Sequence, residues 1–118
     1  MAQNYKILGQ IFPGANTLTN VYVVPASTNT IINTIYVCNQ STQNANVDLI
    51  VRPIDETLSN NHYILKEQDV NQADTLILNL NLTLNENTLL VANNAHKLGQ
   101  SLLGNVSISA FGVEVTED

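Results

Sequence analysis

Two histidines, 10 carboxylates and a single cysteine are the side chains of this 118-residue chain that could carry acid–base, nucleophilic or metal chemistry. A hydrolase needs a nucleophile, a base and a group that orients the base. The two bases on offer are His62, in Asn61-His62-Tyr63, and His96, in Asn94-Ala95-His96-Lys97. Neither adjoins a serine or cysteine in a signature such as G-x-S-x-G. His62 reads as a strand-edge residue whose ring nitrogens meet backbone or water. Cys38 ends the apolar run Ile35-Tyr36-Val37-Cys38 and reads as a buried thiol packing like a small hydrophobe. One cysteine allows no intrachain disulfide, which fits a reducing site of synthesis.

Metal and phosphate chemistry find little support. The chain has no C-x-x-C and no H-E-x-x-H to hold zinc. Asp55-Glu56 and Glu67-x-Asp69 offer oxygens to calcium, but their spacing is not that of an EF-hand, and solvated loop carboxylates are the plainer reading. The five glycines are isolated from one another, so no phosphate loop is expected. Catalytic residues, cofactors and metals are therefore all expected to be none. Glycosidic cleavage would need paired carboxylates in an aromatic groove, yet there is no tryptophan and aromatics total 5%. Tyr5, Tyr22, Tyr36 and Tyr63 lie in or beside expected strands, where they serve as core-edge or interface residues. A single loop end stands as a candidate for a host glycan or receptor: Tyr63 with Asp55, Glu56 and Asp69.

Composition admits two readings, a surface made for assembly or the asparagine bias of an AT-rich genome. Charged residues are only 12%, about half the usual share, and asparagine with other amides and hydroxyls fills the gap. Such side chains lose less entropy than lysine or glutamate when ordered against a partner. The net charge is −6, and the four basic residues, Lys6, Arg52, Lys66 and Lys97, are scattered. That density cannot neutralise several phosphates, nor hold an anionic membrane, so neither nucleic acid nor membrane is expected as a partner. No stretch approaches the ~18 apolar residues of a membrane span. The N-terminus has no apolar h-region, so no signal peptide is expected. The sequons at Asn39, Asn81 and Asn105 read as products of asparagine and hydroxyl abundance.

The elements that must position any site are strands. Extended pieces are expected at Tyr5 to Phe12, Leu18 to Val24, Thr30 to Asn39, Val47 to Arg52, His62 to Lys66, Leu76 to Leu84, Thr88 to Ala92 and Val106 to Val115. Thr30 to Asn39 carries apolar residues pointing both ways and is expected to be central with both faces covered. In Leu76 to Leu84 leucine recurs at every second position, the mark of a half-buried strand. Asp55 to Asn61 is expected as a loop, Glu67 to Ala73 as a polar connector, and Asn85-Glu86-Asn87 as a tight turn. Asn93 to Leu103 is expected as a loop with a short helical turn at Ala95 to Leu98. Gly112 marks a bend that would seat Phe111 in the core, and Arg52 stands within reach of Asp55 or Glu56. Short strands at intervals of roughly 8 to 14 residues predict one all-β domain over 1–118, an antiparallel β-sandwich or jelly-roll-like fold of about seven or eight strands. Residues 1–4 are expected as an N-terminal arm and 116–118 as a frayed acidic tail. Edge protection by lysine or glutamate is weak, which favours edges paired with neighbouring chains.

A resemblance follows from the order of several short segments. Tyr5-Lys6-Ile7-Leu8-Gly9-Gln10 opens the chain. Asn16-Thr17-Leu18-Thr19-Asn20-Val21-Tyr22-Val23-Val24-Pro25-Ala26, Val37-Cys38-Asn39, Val51-Arg52-Pro53 and Asn61-His62-Tyr63 come next, and Ser109-Ala110-Phe111-Gly112-Val113-Glu114-Val115 closes it. Together they resemble small virion structural proteins of tailed bacteriophages, notably those of marine and cyanobacterial hosts. The likeness spans nearly the whole chain and its elements are mostly strand and turn residues. It implies a β-sandwich subunit made in the bacterial cytoplasm and placed on the virion in many copies. Its partners would be itself, as a homo-oligomer, and other capsid or tail subunits. The role implied is capsid decoration or cement, or a neck, tail or baseplate accessory. No active site is implied.

Overall fold

Alternation of apolar and polar residues dominates the chain, and wherever it runs the backbone extends into a strand. The computed structural model describes residues 2–14, 17–95 and 105–116. Among the described residues eight strands form: β1 (Ala2–Ile11), β2 (Thr19–Val23), β3 (Thr28–Asn39), β4 (Ala45–Pro53), β5 (Tyr63–Val70), β6 (Thr75–Leu84), β7 (Thr88–Ala95) and β8 (Val106–Thr116). A single 3-10 turn, Asn60–His62, precedes β5. The strands make two antiparallel four-stranded sheets, ordered β1-β8-β3-β6 and β2-β7-β4-β5. The expected all-β sandwich is what forms, and this interleaved order is that of a jelly roll. Only β4 and β5 are sequential neighbours in one sheet; every other connection crosses between the sheets.

One apolar layer lies between the sheets, and all eight strands feed it. Leu8, Val21, Ile32, Ile35, Leu49, Val70, Leu84, Leu90, Ile108 and Ala110 are among its buried members. Removing each large aliphatic side chain from water contributes roughly 1.5–3 kcal/mol. Val47 and Leu49 point inward as their alternation requires, with Val51 packed against the same layer.

β3 lies between β8 and β6, as its apolar run suggests, but only one of its faces is covered. The run looks two-sided because of a bulge. The register with β8 shifts between Ile32 and Thr34, leaving Asn33 as an extra residue opposite the step from Gly112 to Phe111. Before the bulge Thr28, Thr30 and Ile32 are buried; after it Ile35, Val37 and Asn39 are. Tyr36 is left 41% exposed on the outer face. Gly112 is required here for proximity: a Cβ on it would lie 2.1 Å from the Ile31 carbonyl oxygen. The bend does not seat Phe111 in the core, because the inward positions of β8 fall to Ile108, Ala110 and Gly112, and Phe111 faces outward against Tyr36.

Several boundaries differ from expectation. Residues 2–4 form no arm, since Ala2 pairs with Thr116 and Asn4 with Glu114 in the β1–β8 ladder. The same pairing keeps Thr116 within β8. The expected connector Glu67 to Ala73 is strand as far as Val70, polar because it is a sheet edge facing water. Likewise β7 runs through Asn93 and Asn94 to Ala95, pairing with Asp48, Val47 and Asn46 of β4. His96, Lys97, the rest of the expected helical turn and the 117–118 tail lie outside the described residues.

Gly112→Ala is expected to lower unfolding free energy by about 1–3 kcal/mol, the range for forcing extra volume into packed structure. Gly14→Ala, whose added Cβ meets nothing closer than 3.5 Å, is expected to change it by less than about 0.5 kcal/mol. Urea unfolding of the two variants beside the native chain measures both.

Candidate assembly surface

The residues with chemical potential are largely committed to holding the fold. His62 is buried; its Nδ1 accepts the Ser59 amide at 3.0 Å and its Nε2 lies 3.2 Å from a Glu56 carboxylate oxygen. An acceptor at Nδ1 leaves Nε2–H as the donor to Glu56, so both ring nitrogens are occupied. Arg52 does reach the 54–59 loop, but its guanidinium donates to the Glu56 backbone carbonyl at 2.6 Å rather than to a carboxylate. Tyr63 is half-buried, pairs with Ile50 across β4–β5 and packs against the small outer cluster Ile50, Leu89 and Val91. The Lys66 ammonium sits 4.4 Å from the centre of the Tyr63 ring, so the ring face is taken.

The candidate glycan loop is therefore only partly assembled. Asp55, Glu56 and Tyr63 share the end of the sandwich where β4 leaves and β5 begins. Asp69 stands six residues further along β5, roughly 20 Å away at ~3.3 Å per residue. There it accepts a hydrogen bond from the Asn46 amide. Asp48, buried on β4, accepts the Glu67 backbone N–H at 2.7 Å and the Asn93 amide at 3.2 Å. Among the described residues no group of three or more His, Cys, Asp or Glu stands close enough to hold a metal ion.

Two buried polar networks tie the sheets and turns together. At one end the Tyr22 hydroxyl, on β2, meets the Thr30 hydroxyl of β3 at 2.8 Å and donates to the Glu114 carboxylate of β8. Lys6, across the ladder on β1, closes the set at 3.2 Å from Glu114. Burial, reinforced by the hydrogen bond to Glu114, holds the Tyr22 phenol well above the ordinary tyrosine value. At the other end Asn39, 1% exposed, donates to the carbonyls of Gln43, Val70 and Asn71 and accepts from Ser41. Asparagine fits this place because one side chain can both donate and accept.

What remains open is the outer face of the β1-β8-β3-β6 sheet. Side chains lie in ranks across all four strands: Ile7, Phe111, Thr34 and Asn79 in one, Gln10, Ser109, Tyr36 and Ile77 in the next. Tyr36 and Phe111 meet edge to face, centroids 5.6 Å apart. Beside them Thr34 and Ser109 complete a shallow depression of about 400 Å³. Tyr5, Ile7, Tyr36 and Ile77 are 74%, 53%, 41% and 52% exposed. The four strands carry two charged side chains, Lys6 and Glu114, and these pair with each other. The opposite sheet differs: Lys66, Glu67 and Asp69 line its β5 edge, and Leu58 covers part of its outer face.

This face escapes a reading of single motifs, because its residues come from four separated strands. The available signal was negative: Thr75 to Leu84 and Thr28 to Asn39 contain no charge at all.

Stability at high pH tests the Tyr22 network. The unfolded chain releases the phenolic proton near the ordinary value of 10.0, while the folded chain retains it. The stabilisation is therefore fully present below pH 10 and is lost as pH rises above it, by at most about 1.4 kcal/mol per pH unit. Tyr22→Phe is expected to remove that slope, and to cost about 1–3 kcal/mol at neutral pH by stranding Glu114 and Thr30. Urea midpoints measured on either side of the tyrosine value check both effects.

Comparison of the chain with protein-family models, with curated proteins and with solved structures finds no match.

Proposed function

We propose that the chain is a non-enzymatic structural subunit that assembles through the uncharged outer face of its β1-β8-β3-β6 sheet. The observation that carries this reading is the composition of that face. Aromatic and aliphatic side chains are set there among hydroxyls and amides, with no unpaired charge to desolvate. Covering such a face against a partner gains apolar burial and avoids the cost of stripping water from ions. Its lack of charge and its Tyr and Phe are also features of interface cores.

The resemblance to small virion proteins makes a tailed-phage particle the proposed setting. The role there would be exterior decoration or cement on the capsid, or a neck, tail or baseplate accessory. Jelly rolls recur in viral capsid and lectin domains, an analogy of fold that supports the setting without specifying it. A glycan- or receptor-binding role at the Asp55–Tyr63 loop has less behind it, because Lys66 covers the one aromatic ring and Asp69 is at the far end of β5.

Tyr36→Glu places a charge in the centre of the face without entering the core. The variant is expected to keep its circular-dichroism spectrum and melting temperature, and to lose incorporation into phage particles that carry the native chain. The buried charge should weaken docking by about tenfold or more. Variant and native chains appearing in purified particles at equal copy number would contradict the assembly reading, as would absence of the native chain from them.

A further inference from the structure

We propose that β6 is a self-pairing edge. Two copies of the chain would join β6 to β6 antiparallel about a two-fold axis at Asn79, fusing two four-stranded sheets into one of eight. This deepens the assembly reading above and rests on it.

The four sheet edges are unequal. β1 carries Lys6 and a bulge at Leu8. β2 is five residues long, with its own register shift. β5 carries Lys66, Glu67 and Asp69, breaks register with β4 twice, and turns Glu67 into the left-handed region at φ 52. Each is blunted by devices that stop a sheet from adding a strand: charge, shortness or a bulge. β6 is ten residues long, with no charge and no proline, and among the described residues it pairs with β3 alone. Its register with β3 shifts once, between Asn79 and Leu82, but its in-out alternation runs unbroken from Thr75 to Leu84. Along its other side no strand among the described residues takes up its backbone N–H and C=O groups.

The side chains of β6 are matched to a second copy of themselves. Leu76, Leu78, Leu80 and Leu82 are only half-buried, whereas Leu84 is fully buried. They form an apolar stripe at the rim of the core. A two-fold axis perpendicular to the sheet keeps each face on its own side, so residues opposite one another share parity. With the axis at Asn79, Leu76 faces Leu82 and Leu78 faces Leu80, so all four half-buried leucines are paired. On the outer face Ile77 meets Asn81 and Thr75 meets Thr83. The chain as a whole bears a net charge of −6 and repels its copies, but the β6 edge contributes none of that charge. A strand edge per copy is a small interface, so association of micromolar order is expected.

Sedimentation equilibrium of the full chain, from low to high micromolar concentration, tests the pairing. The native chain is expected to form a reversible dimer. Asn79→Lys sets two ammonium groups opposite each other on the axis and should raise the dissociation constant by about tenfold or more. Asn29→Lys, exposed on β3 away from this edge, should leave it unchanged. In a Cys38→Ser background, Asn79→Cys should give a reducible cross-linked dimer under mild oxidation, and Asn29→Cys should not. A native chain that stays monomeric, or a dimer indifferent to Asn79→Lys, overturns the proposal. A native monomer that still enters particles overturns the β6 pairing and spares the assembly reading. A β6 dimer that never enters particles does the reverse.

Discussion

The structure depends on a single apolar layer shared by two sheets, and on the register that decides which side chain of each strand enters it. β3 is where that register is set. It is bonded on both sides, to β8 and β6, and its bulge at Asn33 switches the buried residues from even to odd positions. The close approach of Gly112 to the Ile31 carbonyl locks the switch in place. A one-residue slip would send Ile35 and Val37 to water and bring Tyr36 and Cys38 inside. The outer face therefore follows from the same register that fills the core.

Charge is distributed by sheet. The β2-β7-β4-β5 sheet manages its exposure with a charged, bulged edge and with the Leu58 cover over Ile50, Leu89 and Val91. The β1-β8-β3-β6 sheet has no such cover; its β1 edge is bulged at Leu8, and its charge is confined to the Lys6–Glu114 pair at one end. Its outer ranks of Ile, Phe, Tyr, Thr, Ser, Asn and Gln carry little hydration penalty into an interface. Buried polar groups, by contrast, sit at the two ends of the sandwich, where Tyr22 and Asn39 tie turns and strands together.

Much of this was legible in the chain. The leucine alternation of β6, the prolines that bound β2 and β4, and the recurrence of short strands point to a sandwich or jelly roll of about seven or eight strands. The strand order was not, because six of the seven connections cross between the sheets and only β4–β5 is a local hairpin. The bulge hid the sidedness of β3, since Ile31-Ile32 and Ile35-Tyr36-Val37-Cys38 read as two apolar faces when a parity switch lies between them. Phe111, expected in the core because of a bend at Gly112, faces outward because β8 keeps its alternation through Ile108, Ala110 and Gly112. The glycan loop looked coherent in sequence because Tyr63 and Asp69 are six residues apart, but an extended strand turns that separation into distance. The absence of charge from β3 and β6 was visible, and only their adjacency in one sheet turns it into a surface.

Amide hydrogen exchange, followed residue by residue as protein concentration rises, tests most directly that the uncharged sheet is where the chain assembles. β6 amides are expected to slow with concentration, because a second strand covers their open edge, while those of the charged β5 edge exchange at a constant rate. Slowing confined to β5, with β6 unchanged, would contradict it.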